Sequence, residues 1–298
     1  MSDASWFFEF PAMPKDSLRA LKKTFDVGYR DFSRAYGETI ENFFDPLLTF
    51  LVWFEDMFLG SPWWLVILVL AVAAWFASRS WKIVAGMVVT FFCIGYFGMW
   101  EDTMSTLAII SVCTVLAVII GLPIGILMAR FDRAQSLITP VLDVMQTMPS
   151  FVYLIPVVML LGIGKVPGLL AVVIYAIPPT IRLTNLGIRL VDEEVLEAAD
   201  AFGASYWQRL FGVQIPLAMP NIMAGINQTI MMALAMVVIA SMIGVKGLGQ
   251  PVLKAVTNQY FALGLFNGLA IVALAIVFDR VTQAFGRRLQ GFRQVPRD

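Results

Sequence analysis

Residues 197–216 read EAADAFGASYWQRLFGVQIP, a polar, helix-forming insert inside a very apolar chain. Asp192, Glu193, Glu194, Glu197 and Asp200 crowd its approach, and Leu196, Ala199 and Phe202 offer a narrow apolar face. That composition predicts a short helix lying across a membrane surface. Gly203 interrupts it, because glycine is costly inside helices and permits a turn. A second helical piece is expected around residues 206–211, and Pro216 falls in the first turn of the next apolar run, where its missing N–H costs nothing. Written as spacing, the stretch is Glu-Ala-Ala, three residues, Gly, nine residues, then aliphatic-X-aliphatic-Pro.

Outward from this insert the chain is built for lipid. Of its 298 residues 59% are hydrophobic and 14% charged, where soluble domains carry about 25% charged residues. The apolar residues gather into about seven runs of membrane-spanning length: 62–77, 83–99, 104–128, 137–161, 167–186, 217–243 and 261–284. The fold class is therefore an all-α polytopic membrane protein. The first run is short, about 24 Å as a helix against a hydrocarbon core of about 30 Å. The fourth is interrupted by Pro149 and Pro156, and the fifth holds Pro178 and Pro179.

Residues 1–60 form a separate segment with ten acidic and six basic residues. Leu18, Leu21, Phe25, Phe32, Tyr36, Ile40, Phe43, Leu47 and Leu51 fall mostly three, four or seven apart, which lines one helix face. Two readings stand: an amphipathic helix on the bilayer surface, or a helix packed against the bundle. Gly28 and Pro46 predict breaks rather than one rod. The start lacks a basic run followed by an apolar core, so no cleavable signal peptide is expected.

Formal net charge is zero, so no global field points to nucleic acid. Histidine is absent, which removes the commonest general base and metal ligand. No metal site and no catalytic residue is expected. Cys93 and Cys113 both sit in apolar runs and read as small buried hydrophobes. Arg79, Lys82, Arg130, Arg133, Arg182, Arg189, Arg209, Arg280, Arg287, Arg288, Arg293 and Arg297 fall on one side of the seven-span topology; only Lys165, Lys246 and Lys254 occupy the opposite short loops. Twelve against three places the first set in the cytoplasm. The insert and the C-terminus are then cytoplasmic and the N-terminal segment extracytoplasmic.

The spaced pattern of 197–216 resembles the EAA signature of the membrane subunits of ATP-binding-cassette importers, with Val213 and Ile215 where that signature usually has Ile and Leu. MSTLAIISVCTVLAVIIGLPIGILMAR (104–130), MQTMPSFVYLIPVVMLLGIGKVPGLLAVVIYAIPPTIRLTNLGI (145–188) and IASMIGVKGLGQPV (239–252) extend the resemblance to the permease subunits of glycine betaine/proline betaine importers, over residues 100–290. It implies a type I importer permease fold in a bacterial inner membrane. Residues 101–290 would be its core of five helices, 61–100 peripheral spans, 1–60 an amphipathic extension and 291–298 a cytoplasmic tail. It implies coupling through loop 187–216, carried by Glu197, Ala198, Ala199, Phe202, Gly203 and Pro216. It also implies three partners: a second permease copy, a cytoplasmic ATPase homodimer holding ATP and magnesium, and an extracytoplasmic binding protein. The chain lacks a GxxxxGK[ST] phosphate loop, so ATP hydrolysis falls to a partner, and no cofactor is expected in this chain.

Polar groups within spans are costly and often functional. Gln146, Thr147, Ser150 and Tyr153 flank the expected break in the fourth span, and Asn221, Asn227, Gln228 and Thr229 lie in the sixth. They are candidate translocation-path residues, or else interhelical hydrogen-bonding groups. Gly244, Gly247 and Gly249 mark either an outer gate or a plain turn. Within the permease reading, proline betaine, choline, carnitine, trimethylamine N-oxide and amino acids remain alternatives to glycine betaine. A secondary transporter fits poorly, since the span centres lack a convincing charged pair and no repeat is visible.

Overall fold

A computed structural model describes residues 12–291. Asp3, Glu9, Arg293, Arg297 and nearly all of the expected tail lie outside them. Among the described residues every regular element is helical. Lys15–Gly60 is helix α1, followed by α2 (Trp63–Ser78), α3 (Trp81–Tyr96) and α4 (Trp100–Arg130). Next come α5 (Asp132–Thr147), α6 (Ser150–Leu161), α7 (Lys165–Ala176) and α8 (Pro178–Arg189). The insert supplies α9 (Glu193–Ala201) and α10 (Tyr206–Arg209); α11 (Ile215–Ala240), α12 (Gly249–Asn258) and α13 (Phe261–Gly291) complete the chain.

Each of the seven expected spans coincides with apolar helix, but not each is an unbroken one. Four stretches are long and apolar enough to cross a membrane: Trp100–Arg130, Lys165–Arg189, Tyr206–Ile243 and Phe261–Arg288. The expected fourth span is a bent pair, α5 and α6 meeting at 100°. The cause is Pro149, which holds Met148 extended at φ −70°, ψ 130°; Pro156 stays inside α6. α1 and α2 form the second bent pair, at 112°. α3 is apolar but only 16 residues long. Counting each bent pair as one span gives up to six.

The expected breaks in the N-terminal segment do not occur. α1 runs 46 residues through both Gly28 and Pro46. A proline inside a helix sacrifices one hydrogen bond and costs about 3 kcal/mol, and tertiary contacts on either side hold this one. Ser33 Oγ donates to Met159 O at 3.1 Å, and the Tyr29 hydroxyl donates to Pro156 O. Beyond Pro46, Leu51 is 1% exposed in the main core. The segment thus packs against the bundle, while Phe25 and Phe43 of its apolar stripe remain exposed.

The core centres on α4, α7 and α11, where Met104, Ile110, Val172, Met236 and Val237 are fully buried. The α7–α8 span is 67% buried across its apolar window and α13 only 17%, so within this chain the former is the most covered span and the latter the least. Cys113 is buried as expected, but Cys93 is exposed, since its face of α3 is uncovered.

Close backbone approach sets the spacing around α8. A Cβ on Gly125 of α4 would stand 2.6 Å from Thr184 Cβ and 2.8 Å from Ile181 O. Gly121, one turn earlier, faces Thr180 in the same way. This is the small-xxx-small contact that lets membrane helices touch without a hydrophobic drive between them. Gly125→Ala is expected to destabilise the protein by about 1–3 kcal/mol through overpacking, read as a lowered unfolding midpoint in detergent. An unchanged midpoint would mean that α4 and α8 separate freely.

Candidate functional site

The insert folds as a cap, a turn and a second cap. Asp192 begins α9, its side chain accepting from Glu194 N at 3.0 Å. At the other end Ala204 N donates to Ala199 O at 3.1 Å and Gly203 N to Asp200 O at 2.9 Å. Those two bonds, with Gly203 at φ +77°, form a Schellman motif. An L-residue there costs about 1–2 kcal/mol, which is the physical reason for glycine. Ser205 then opens the next helix with a capping box: its Oγ accepts from Gln208 N at 3.5 Å, and Gln208 Oε1 accepts from Ser205 N at 2.8 Å.

The second helical piece is not separate. α10 passes through a π-turn, Leu210–Gln214, directly into α11, so one helical stretch runs Tyr206–Ile243. Pro216 lies in the first turn of α11. Its lack of an N–H interrupts the regular ladder just where the helix widens, and such π-turns are frequent at functional sites.

Nothing in α9 is buried. Glu197 and Ala198 are exposed, Ala199 is half-buried and Phe202 is 94% exposed. Glu197 makes no hydrogen bond or ion pair with the described residues. Trp207 and Phe211, 61% and 60% exposed, stack at 5.8 Å. Phe202, Trp207 and Phe211 together leave a large aromatic face open. The insert is nonetheless tied down. Arg209 Nη1 meets Asp200 Oδ2 at 2.6 Å across the turn, an exposed pair worth under about 1 kcal/mol. The Arg130 guanidinium at the end of α4 lies 4.1 Å from the Tyr206 ring centre. Arg189 donates to Met128 O at 2.9 Å and to Asp132 Oδ1 at 2.7 Å, pinning the end of α8 to the α4–α5 turn.

The candidate path residues divide. Gln146, Thr147 and Gln228 are exposed, and Ser150 and Asn221 are half-buried. Tyr153 is buried; its hydroxyl donates to Met145 O across the α5–α6 bend, and its ring packs on Tyr175 at 5.7 Å. Thr229 is buried and shares a 2.8 Å hydrogen bond with Thr180 of α8. Asn227 Nδ2 donates to Asp279 Oδ1 at 2.9 Å, and Asn227 Oδ1 accepts from Thr282 of α13. The structure therefore gives Tyr153, Asn227 and Thr229 interhelical partners.

Gly244, Gly247 and Gly249 sit in a wedged turn. Gly247 takes φ +133°, and a Cβ there would strike Thr106 Oγ1, the atom that already accepts from Leu248 N at 2.9 Å. A Cβ on Gly249 would strike Ser241 Oγ. The turn is thus keyed into α4 at the end of the bundle away from α9.

Sequence reading missed the buried ion pair of Glu55 and Lys165, 2.6 Å apart, with Ser105 Oγ donating to Glu55 Oε1 at 2.8 Å. The signal was present: Glu55 is an acid inside an apolar run, LTFLVWFEDMF. Asp279 gave the same signal, an acid inside the apolar run 261–284.

Residues 121–291 match the family described as binding-protein-dependent transport system inner membrane component. The chain is 51% identical over 234 residues to the glycine betaine/proline betaine transport system permease protein ProW of Escherichia coli (strain K12), covering 78% of this chain and 66% of that one. It is 46% identical over 255 residues to the glycine betaine/carnitine transport permease protein GbuB of Listeria monocytogenes serotype 1/2a (strain 10403S), covering 83% and 90%. The chain therefore spans just under two thirds of the first relative and nine tenths of the second. Among solved structures, an inward-facing MetNI methionine ABC transporter superposes with a TM-score of 0.57 at 19% identity, covering 62% of this chain and 93% of that one; it supports the fold.

Proposed function

Because this chain belongs to the family of binding-protein-dependent transport system inner membrane components, we propose that it is the membrane-spanning subunit of an ATP-driven importer of glycine betaine or a related quaternary amine. Relatives over most of its length carry glycine betaine in their names, which supports that substrate class. The carrying observation is the exposed α9 with its aromatic neighbours. It is capped at both ends and followed by one helical stretch that crosses to the opposite face.

In this reading Phe202, Trp207 and Phe211 seat in a cytoplasmic ATPase, and Glu197 pairs with a basic group on it. Movement of the ATPase displaces α9, and the capping box and the Arg130–Tyr206 contact pass the displacement to α11 and α4. ATP and magnesium stay on the partner. A second copy of this chain faces the first across the path, and an extracytoplasmic binding protein delivers the solute. The insert and C-terminus lie in the cytoplasm, with the N-terminal segment on the opposite side. The exposed candidates Gln146, Thr147 and Gln228 border the path, and the glycine turn closes its outer end.

Proteoliposomes holding this chain with its ATPase and binding protein are expected to accumulate radiolabelled glycine betaine only when ATP is enclosed with the ATPase. Uptake by this chain alone, driven by an ion gradient, would overturn the assignment.

A further inference from the structure

At the end of the bundle remote from α9, a cavity of about 230 Å³ opens between the α3–α4 turn, the first turn of α4, α12 and the start of α13. That is smaller than the roughly 300 Å³ where pockets for drug-sized ligands begin, and it suits a small solute. Asp102 lines it, and no lysine or arginine does. The Asp102 carboxylate is half-buried and has no hydrogen bond or ion pair among the described residues. Asn267 also lines the cavity and is 3% exposed. Its Nδ2 donates to Leu263 O at 2.9 Å, and its Oδ1 is buried without a partner. Phe97 and Phe266 complete the lining as a stacked pair, centroids 5.2 Å apart.

These groups offer the cavity one unpaired carboxylate and two aromatic rings, with Asn267 and Met99 in its wall. An unpaired, half-buried carboxylate costs free energy that a cation would offset. A bare metal ion is a poor fit, since magnesium and calcium call for six or more oxygen ligands. A primary ammonium would bring three donors to a single carboxylate. A methylated ammonium suits the set: its charge is diffuse, its methyl groups need no acceptor, and aromatic faces attract it.

The geometry points to a binding site for a quaternary ammonium head group formed by Asp102, Asn267, Phe97 and Phe266. Choosing that head group over other organic cations accords with the quaternary-amine reading above and rests on it; the cation site itself rests on the cavity. Its position gives it a use. The main-chain carbonyl of Asp102 borders Gly247, at 3.4 Å from a Cβ placed there, and accepts from Thr106 Oγ1 at 2.7 Å. An occupant therefore sits one peptide group away from the wedged glycine turn.

The test uses the purified full chain in lipid nanodiscs, without binding protein, and radiolabelled tetramethylammonium in equilibrium dialysis. Saturable binding is expected. Asp102→Asn should weaken it about tenfold and Phe266→Leu, which keeps the apolar volume, about threefold or more. Sodium and magnesium chloride at matched ionic strength should displace none of it. Absence of saturable binding, equal affinity in wild type and a folded Phe266→Leu, or displacement by sodium or magnesium would each overturn the site. Glycine betaine uptake by the assembled wild-type system is measured in parallel. Uptake without tetramethylammonium binding removes the site alone, and binding without uptake removes the substrate reading alone.

Discussion

Gly203→Val is expected to leave the chain inserted and folded while cutting ATP-driven uptake about tenfold. Nothing lies within 4 Å of a Cβ at this position, so the substitution meets no steric wall and disturbs no core. What it meets is φ +77°, a conformation that costs a β-branched residue more than the 1–2 kcal/mol typical of L-residues. At about 1.4 kcal/mol per tenfold, that strain depopulates the Schellman turn and lets α9 swing away from Tyr206. Gly203→Asn, which tolerates the left-handed region, should keep most of the activity. The measurement is uptake alongside ATPase turnover in proteoliposomes. Normal uptake in the valine variant would remove the turn from the coupling mechanism.

The second large effect is structural. Lys165→Met is expected to destabilise the protein by about 3 kcal/mol or more, because it strands Glu55, whose side chain is 4% exposed. The double variant Glu55→Gln with Lys165→Met should recover most of the loss, since removing both charges of a buried pair is often close to neutral. Thermal unfolding in detergent reads the stability, and limited proteolysis of α1 reads whether the N-terminal helix stays docked. If the single variant melts with wild type, the pair does not anchor α1.

What the sequence made legible was whatever repeats locally. The apolar runs located α2 to α8, α11 and α13, because burial in lipid demands about 20 apolar residues whatever the tertiary fold; α12 fell in none of them. The EAA spacing located the insert, because a capped helix end has a fixed residue grammar: Asp192 before it, Gly203 after it, Ser205 and Gln208 beginning the next. What stayed hidden was decided by contact across the chain. Pro46 looked like a breaker until Ser33 and Leu51 were seen held on either side of it. Asn227 and Thr229 stood in the sequence as path or interhelical groups, and only the fold supplied their partners Asp279 and Thr180. Asp102 and Asn267 drew no notice in the sequence, since they stand 165 positions apart and only the fold brings both to one cavity.

The helical stretch Tyr206–Ile243 carries one more consequence. Its 38 residues measure about 57 Å as α-helix, with the exposed aromatics at one end and the wedged glycine turn at the other. A seesaw of that length needs little travel: a tilt of about 5° about its middle moves each tip by about 2.5 Å. Coupling through a rigid beam is also reciprocal. Pressure on the glycine-turn end must shift the aromatic end by the same lever law. In the proposed importer, loading at one face thus signals the ATPase at the other without any relay of its own.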